Sequence, residues 1–195
     1  MRDKMVIGRE RLLFTNKALA ALILPLIVEQ FLAVLVGMAD SVMVASVGEA
    51  AVSGVSLVDN IMILFTNLFA ALATGGAVIA GQYLGQKNGK LASRAATQLI
   101  WFTMILAVVI MAVIYCGKWF ILHVVFGEIN ADVMGHANTY LVIVTASIPF
   151  IALYNAGAAV FRAMGNSKVS MQVAMIMNVV NVAGNAILIY GFRRG

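Results

Sequence analysis

The run NIMILFTNLFAALATGGAVIAGQYLGQ, residues 60–86, holds no charged side chain. It lies between Asp59 and Lys87, and its apolar character reaches back to Ala50. A membrane helix needs about 20 mostly apolar residues, so this stretch spans a bilayer with length to spare. It lacks the period-two alternation of a barrel strand, which excludes a β-barrel. The rest of the chain repeats the pattern. Lys17 to Glu49 is an apolar block broken only by Glu29 and Asp40, and Ala95–Gly117, Val133–Phe161 and Val169–Phe192 carry no Asp, Glu, Lys or Arg. The charges therefore predict five spans near 17–46, 50–86, 91–119, 129–163 and 168–192, preceded by a segment 1–16 and followed by a tail 193–195. Several exceed the minimum length, so tilted or protruding helices are expected.

Composition agrees. Of 195 residues 63% are hydrophobic and 11% charged, against about 45–50% and about 25% for a soluble domain. Too few charges remain to clothe a water-facing surface, and disorder needs the opposite composition. The expected fold is all-α, a polytopic membrane helix bundle. The first span is too long, and too interrupted by acids, for the 7–15-residue core of a cleaved signal peptide. Cys116 is the one cysteine, so no internal disulfide can form.

The net charge of +5 is a topology signal and no nucleic-acid footprint. Ten of the 13 basic residues (Arg2, Lys4, Arg9, Arg11, Lys17, Lys87, Lys90, Arg94, Arg162 and Lys168) fall on one side of the expected membrane. Lys118, Arg193 and Arg194 fall on the other. Basic loops stay in the cytoplasm, which places the amino terminus there and the loop holding Glu128 outside.

Lipid offers polar groups no partner, so polar residues inside spans face a cavity or another helix. Glu29 and Asp40 are eleven residues apart, close to three turns, so they share a helix face about 16 Å apart. An acid at the centre of a span costs about 3 kcal/mol, and ion or proton binding is what such a residue offers in return. Pro25 lacks an amide hydrogen and is expected to kink the first span. In the fifth span Asn178, Asn181 and Asn185 follow i, i+3, i+7 and lie on one face. Carboxamides can join helices, or offer oxygens to a small cation beside a carboxylate. The second span carries Ser53, Ser56, Asn60 and Asn67 along one face, with Asp59 adjacent, and Asn155 interrupts the fourth. Pro25, Glu29, Asn60, Asn155 and Asn178 are thus candidates for lining a cavity. Gly81-x-x-x-Gly85 reads as close helix packing.

Catalytic chemistry is not visible. His123 and His136 lack metal-ligand spacing, and there is no Gly-x-x-x-x-Gly-Lys phosphate loop for nucleotide-driven transport. The two acids of the first span sit on one helix and do not converge from two elements. No enzyme and no organic cofactor are expected.

Several stretches together resemble the multidrug and toxic compound extrusion (MATE) transporters, in particular the amino-terminal lobe of the DinF-like bacterial type. Pro25-Leu26-Ile27, Gly37-Met38-Ala39-Asp40-Ser41 and Val47-Gly48-Glu49-Ala50-Ala51 are similar to the family's first helix and its end. Gly81-Gln82-Tyr83-Leu84-Gly85 is similar to the end of the second helix, and Phe161-Arg162-Ala163-Met164-Gly165-Asn166-Ser167-Lys168 to the fourth connection. Asn178-Val179-Val180-Asn181, with Asn185-Ala186-Ile187-Leu188-Ile189-Tyr190-Gly191, is similar to the fifth helix.

The resemblance implies a transporter of twelve helices in two lobes, exporting organic cations and other drugs in exchange for sodium ions or protons across a bacterial inner membrane. It implies that Asp40, Asn181 and Asn185 form the coupling site, holding sodium or, at Asp40, a proton, and that Pro25 is the family's kink-forming proline. Asn185 stands where several members have an aspartate, a departure that lowers the charge of the site. Only five helices of the first lobe are present, so a sixth helix and a second lobe are expected as the missing partner beside the organic substrate and membrane lipid. Two alternatives stay open: a truncated, non-transporting membrane remnant, and a lipid-linked saccharide flippase of the same superfamily. A flippase calls for a long basic cavity, and basic residues are confined to the ends of these spans.

Overall fold

The computed structural model describes residues 15–191. They form five helices: α1 (Asn16–Ala45), α2 (Glu49–Gly85), α3 (Gly89–Phe120), α4 (Ala131–Ala163) and α5 (Ser167–Ala186). α3 continues through a wider turn of π geometry, Ile121–Val125, beyond the end near 119 that the charges suggested, and α5 continues likewise over Ile187–Gly191. Among the described residues there is no strand. All five helices are long and apolar enough to cross a membrane, and the chain is a multi-pass membrane protein. The basic leader with Arg2, Lys4, Arg9 and Arg11, and the tail 193–195, lie outside the described residues.

The connections 46–48, 86–88, 126–130 and 164–166 are short, so successive helices run antiparallel. α1, α3 and α5 run one way, α2 and α4 the other. This collects Lys17, Lys87, Lys90, Arg94, Arg162 and Lys168 at one end of the bundle. The two turns at that end are built alike. The Asn88 amide donates to the Tyr83 carbonyl and the Asn166 amide to that of Phe161, each at 2.9 Å. Each closure needs a left-handed residue, supplied by Gly165 (φ 78°) in one turn and by Lys87 (φ 59°) in the other.

α2, α3 and α4 make the packed body. Val58, Phe69, Leu141 and Ile148 are fully buried there, with Ala73, Ala77, Ala107, Ala137, Ala152 and Ala156 between them. Bulky residues such as Phe31, Trp101 and Phe150 point outward. In lipid, hiding an apolar side chain gains little, whereas small residues let backbones approach. Gly54 shows this most sharply: a methyl group there would lie 2.8 Å from the Ala137 nitrogen and 2.9 Å from the Val133 carbonyl oxygen. The Gly81-x-x-x-Gly85 pair does not play that part. Gly81 meets Ala163 at ordinary distance and Gly85 faces open space.

α1 and α5 pair with each other and supply no residue to the body's apolar clusters. In α1 only Pro25 and Glu29 are buried, and in α5 only Ser167, Ser170 and Ala174. α1 passes through Pro25 as one helix. Because Pro25 has no N–H, the Ala21 carbonyl loses its helical partner there.

Candidate functional site

Where the α1–α5 pair leans on α2 and α4, at the end away from the basic cluster, a cavity of about 700 Å³ opens. That is within the roughly 300–1,000 Å³ of small-molecule sites. About half of its lining residues are valine, isoleucine, alanine and leucine, among them Leu188 and Ile189 from the widened last turn of α5. Asp40 of α1, Asp59 of α2, His136 and Tyr140 of α4, and Asn181 and Asn185 of α5 supply its chemistry.

Asp40, Asn181 and Asn185 are thus brought together. The Asn185 side-chain nitrogen donates to Asp40 Oδ1 at 2.9 Å and lies 3.3 Å from Asn181 Oδ1. Two residues that the helix-face reading did not single out as site residues join the lining from α2 and α4: the Tyr140 hydroxyl donates to Asp59 Oδ1 at 2.8 Å. Eighty-one residues separate that pair, and no local spacing could announce it. Among the described residues no lysine or arginine lines the cavity.

The cavity-lining candidates Pro25, Glu29, Asn60, Asn155 and Asn178 do not line this cavity. Asn60 is one position past Asp59, about 100° further round the helix, and donates to the Ser56 carbonyl of its own helix at 2.9 Å. The Asn155 amide likewise returns to the Ile151 carbonyl. Asn178 is half-buried, one turn of α5 nearer the basic end than Asn181. Pro25 and Glu29 lie three or more turns of α1 below Asp40, beneath the cavity floor.

Glu29 has its own surroundings. It is 6% exposed; Tyr154 of α4 donates to Oε1 at 2.8 Å and Ser170 of α5 lies 3.1 Å from Oε2. The Ser170 hydroxyl is also 2.9 Å from the Ser167 carbonyl. Glu29 therefore clasps α1 to both α4 and α5 near the basic end, while the opposite end of the pair stands off around the cavity. Among the described residues no group of three or more His, Cys, Asp or Glu is arranged to hold a metal ion. A sodium ion needs only oxygens, which Asp40 and the two carboxamides offer.

The family model MatE matches residues 25–187 of the chain. The uncharacterized transporter YisQ of Bacillus subtilis is 30% identical over 175 residues, which is 89% of this chain and 38% of that protein. A probable multidrug resistance protein NorM of Thermotoga maritima is 22% identical over 188 residues, 96% of this chain and 40% of its own length. Among solved structures, a MATE protein in complex with MaL6 superposes with a TM-score of 0.86 at 20% identity, covering 90% of this chain and 39% of its own. A MOP superfamily transporter from Pyrococcus furiosus gives 0.81 at 20% identity, covering 90% and 38%. The chain spans about two fifths of the length of the relatives it matches.

Proposed function

This chain belongs to the MatE family, and on that footing we propose that it forms the amino-terminal lobe of an ion-coupled antiporter that exports drugs or other organic compounds. The single observation that carries this reading is Asp40. Its half-buried carboxylate is held by Asn185 at the edge of a cavity large enough for a drug-sized molecule. The cavity lies between a three-helix body and a helix pair that shares none of its apolar core.

With Asp40 charged and no cation bound, the Asn185 amide supplies its hydrogen bond. A proton arriving at Asp40 removes the charge; a sodium ion would be held by Asp40 with the oxygens of Asn181 and Asn185, the Asn185 carboxamide turning to present its oxygen. Either event changes the force between the α1–α5 pair and the body. A ligand that binds one arrangement more tightly shifts the population toward it. Alternating access then requires a second lobe rocking against this one around a shared site. The coupling ion is sodium or a proton, with no other cofactor. The location is a bacterial inner membrane, with the basic end of the bundle in the cytoplasm.

The test is drug efflux from vesicles under an imposed sodium or proton gradient, using the full-length transporter. Asp40→Asn keeps the shape and the acceptor for Asn185 but cannot change charge, so export driven by the gradient is lost while the protein still folds. Export at the unmodified rate would place the coupling site elsewhere.

A further inference from the structure

We propose that a cleft among α2, α3 and α4 at the basic end of the bundle binds an anionic phospholipid, with an acyl chain in the cleft and the phosphate beside Lys87, Lys90 and Arg94. It lies at the opposite end from the Asp40 cavity, takes a different ligand and is independent of export.

The cleft measures about 240 Å³, and among the described residues Ser93 is the one polar side chain in its lining. Its small residues are not accounted for by helix packing. A methyl group at Gly81 would meet Ala163 at an ordinary 3.7 Å, and one at Gly89 would meet nothing within 4 Å. Ala92 and Ala96 follow Gly89 on the same face of α3, so this wall is kept low along two turns. Leu84, Gly89, Ser93 and Met164 are exposed, and the cleft therefore opens on the outer surface of the bundle. It does so at the ends of three spans, where an acyl chain meets its headgroup.

Positive charge surrounds that end. Lys87 stands in the connection between α2 and α3, Lys90 is next to Gly89, and Arg94 is next to Ser93, one turn beyond Lys90; all three are exposed. Among the described residues no Asp or Glu lies within two turns of this end in any of the five helices. The three cations thus have no acid beside them, and an anion is the partner they lack. Basic sites between membrane helices at such an end suit acidic headgroups.

Lys87 adds a separate sign. Its φ of 59° is left-handed, a conformation costly to every residue with a Cβ. The turn between α4 and α5 closes through the same backbone bond and has Gly165 there, at φ 78°. Glycine satisfies the turn without strain, so the backbone gives no reason for a lysine. Nor does topology, since a charge that marks the side of the membrane could stand at Gln86 or Asn88 without strain. What position 87 offers is a cation at the mouth of an apolar cleft. A phospholipid fits both parts, whereas a soluble anion leaves the cleft empty.

The test uses the full-length transporter in dodecyl maltoside micelles, titrated with dioleoylphosphatidylglycerol or dioleoylphosphatidylcholine, with native mass spectrometry counting the lipid retained. Phosphatidylglycerol is expected to be retained in preference. Lys87→Gly keeps the turn and should weaken its binding about fivefold, the scale of one basic residue beside an acidic headgroup. The melting temperature of that variant in lipid-free micelles does not fall, because the strain at 87 is gone. Lys90→Gln with Arg94→Gln weakens binding further. Ser93→Leu fills the mouth of the cleft and weakens it with every charge in place. Equal retention of the two lipids overturns the proposal, as does unchanged phosphatidylglycerol binding in the charge variants. A lower melting temperature for Lys87→Gly in lipid-free micelles would mark a structural lysine and also overturn it. Displacement of the lipid by equimolar inorganic phosphate would mark a site for a soluble anion. Unchanged retention in Ser93→Leu would mean that another part of the transporter covers the cleft; either result sinks the lipid site.

Discussion

The Asn185 side-chain nitrogen lies 2.9 Å from Asp40 Oδ1, so α5 gives its hydrogen bond to the acid of α1 at the cavity edge. An aspartate at 185 would turn this attraction into repulsion between two carboxylates at hydrogen-bond distance, and such a pair cannot both ionise without a cation or a proton between them. Asn185→Asp is therefore expected to unfold at lower temperature than the unmodified protein in sodium-free buffer. It should regain stability as sodium replaces choline at constant ionic strength, because a ligand that binds only the folded state stabilises it. Thermal unfolding in the two salts measures this, and an equal response of both proteins would argue that position 185 does not face the bound ion.

Glu29 ties three helices, and its two variants should differ. Glu29→Gln keeps an oxygen for the Tyr154 hydroxyl and is expected to cost under about 1 kcal/mol. Glu29→Leu removes it. Ser170 can still turn to the Ser167 carbonyl, but Tyr154 is left without its partner, for a loss of about 1–3 kcal/mol. In a double-mutant cycle, adding Tyr154→Phe to Glu29→Leu should recover part of that loss.

Gly54 has no room for a side chain. Gly54→Ala sets a carbon against backbone atoms of α4, and backbone cannot move aside as a flexible side chain does. Overpacking of this kind costs about 1–3 kcal/mol. Gly37→Ala is the control, since a methyl group there meets nothing within 4 Å. Equal melting temperatures for the two variants would contradict the close α2–α4 approach.

Thr145 is fully buried, and its hydroxyl has no hydrogen-bond partner among the described residues. Replacing an unsatisfied polar atom with an apolar one of similar shape removes a desolvation cost, so Thr145→Val should stabilise the bundle by about 1 kcal/mol. A lower melting temperature would show that the hydroxyl has a partner in the membrane.

Orientation can be read by labelling. Lys168, in the first turn of α5, and Glu128, in the connection 126–130, are both exposed and lie at opposite ends of the bundle. With the exposed Cys116 first replaced, a cysteine at 128 should react with an impermeant reagent in intact cells, and one at 168 only after lysis. Labelling of 168 from outside would invert the topology.

The sequence by itself determined the membrane class and the five long apolar helices. The reason is local: each charge is costly in lipid, so Lys87, Lys90 and Arg94, or Arg162 and Lys168, mark a boundary without reference to the rest of the chain. Helical periodicity also put Asn181 and Asn185 on one face. It could not say that Asn178, one turn away, misses the cavity, because a face extends the whole length of a helix while a cavity occupies a few turns. Nor could it give Glu29 its partners or bring Asp59 into the site. Tyr154, Ser170 and Tyr140 are 125, 141 and 81 residues from the acids they meet. Those contacts exist because α1 pairs with α5 and α2 with α4; between α2 and α4 the close approach is made where Gly54 meets the backbone of α4, a fit across helices that no spacing along one helix encodes.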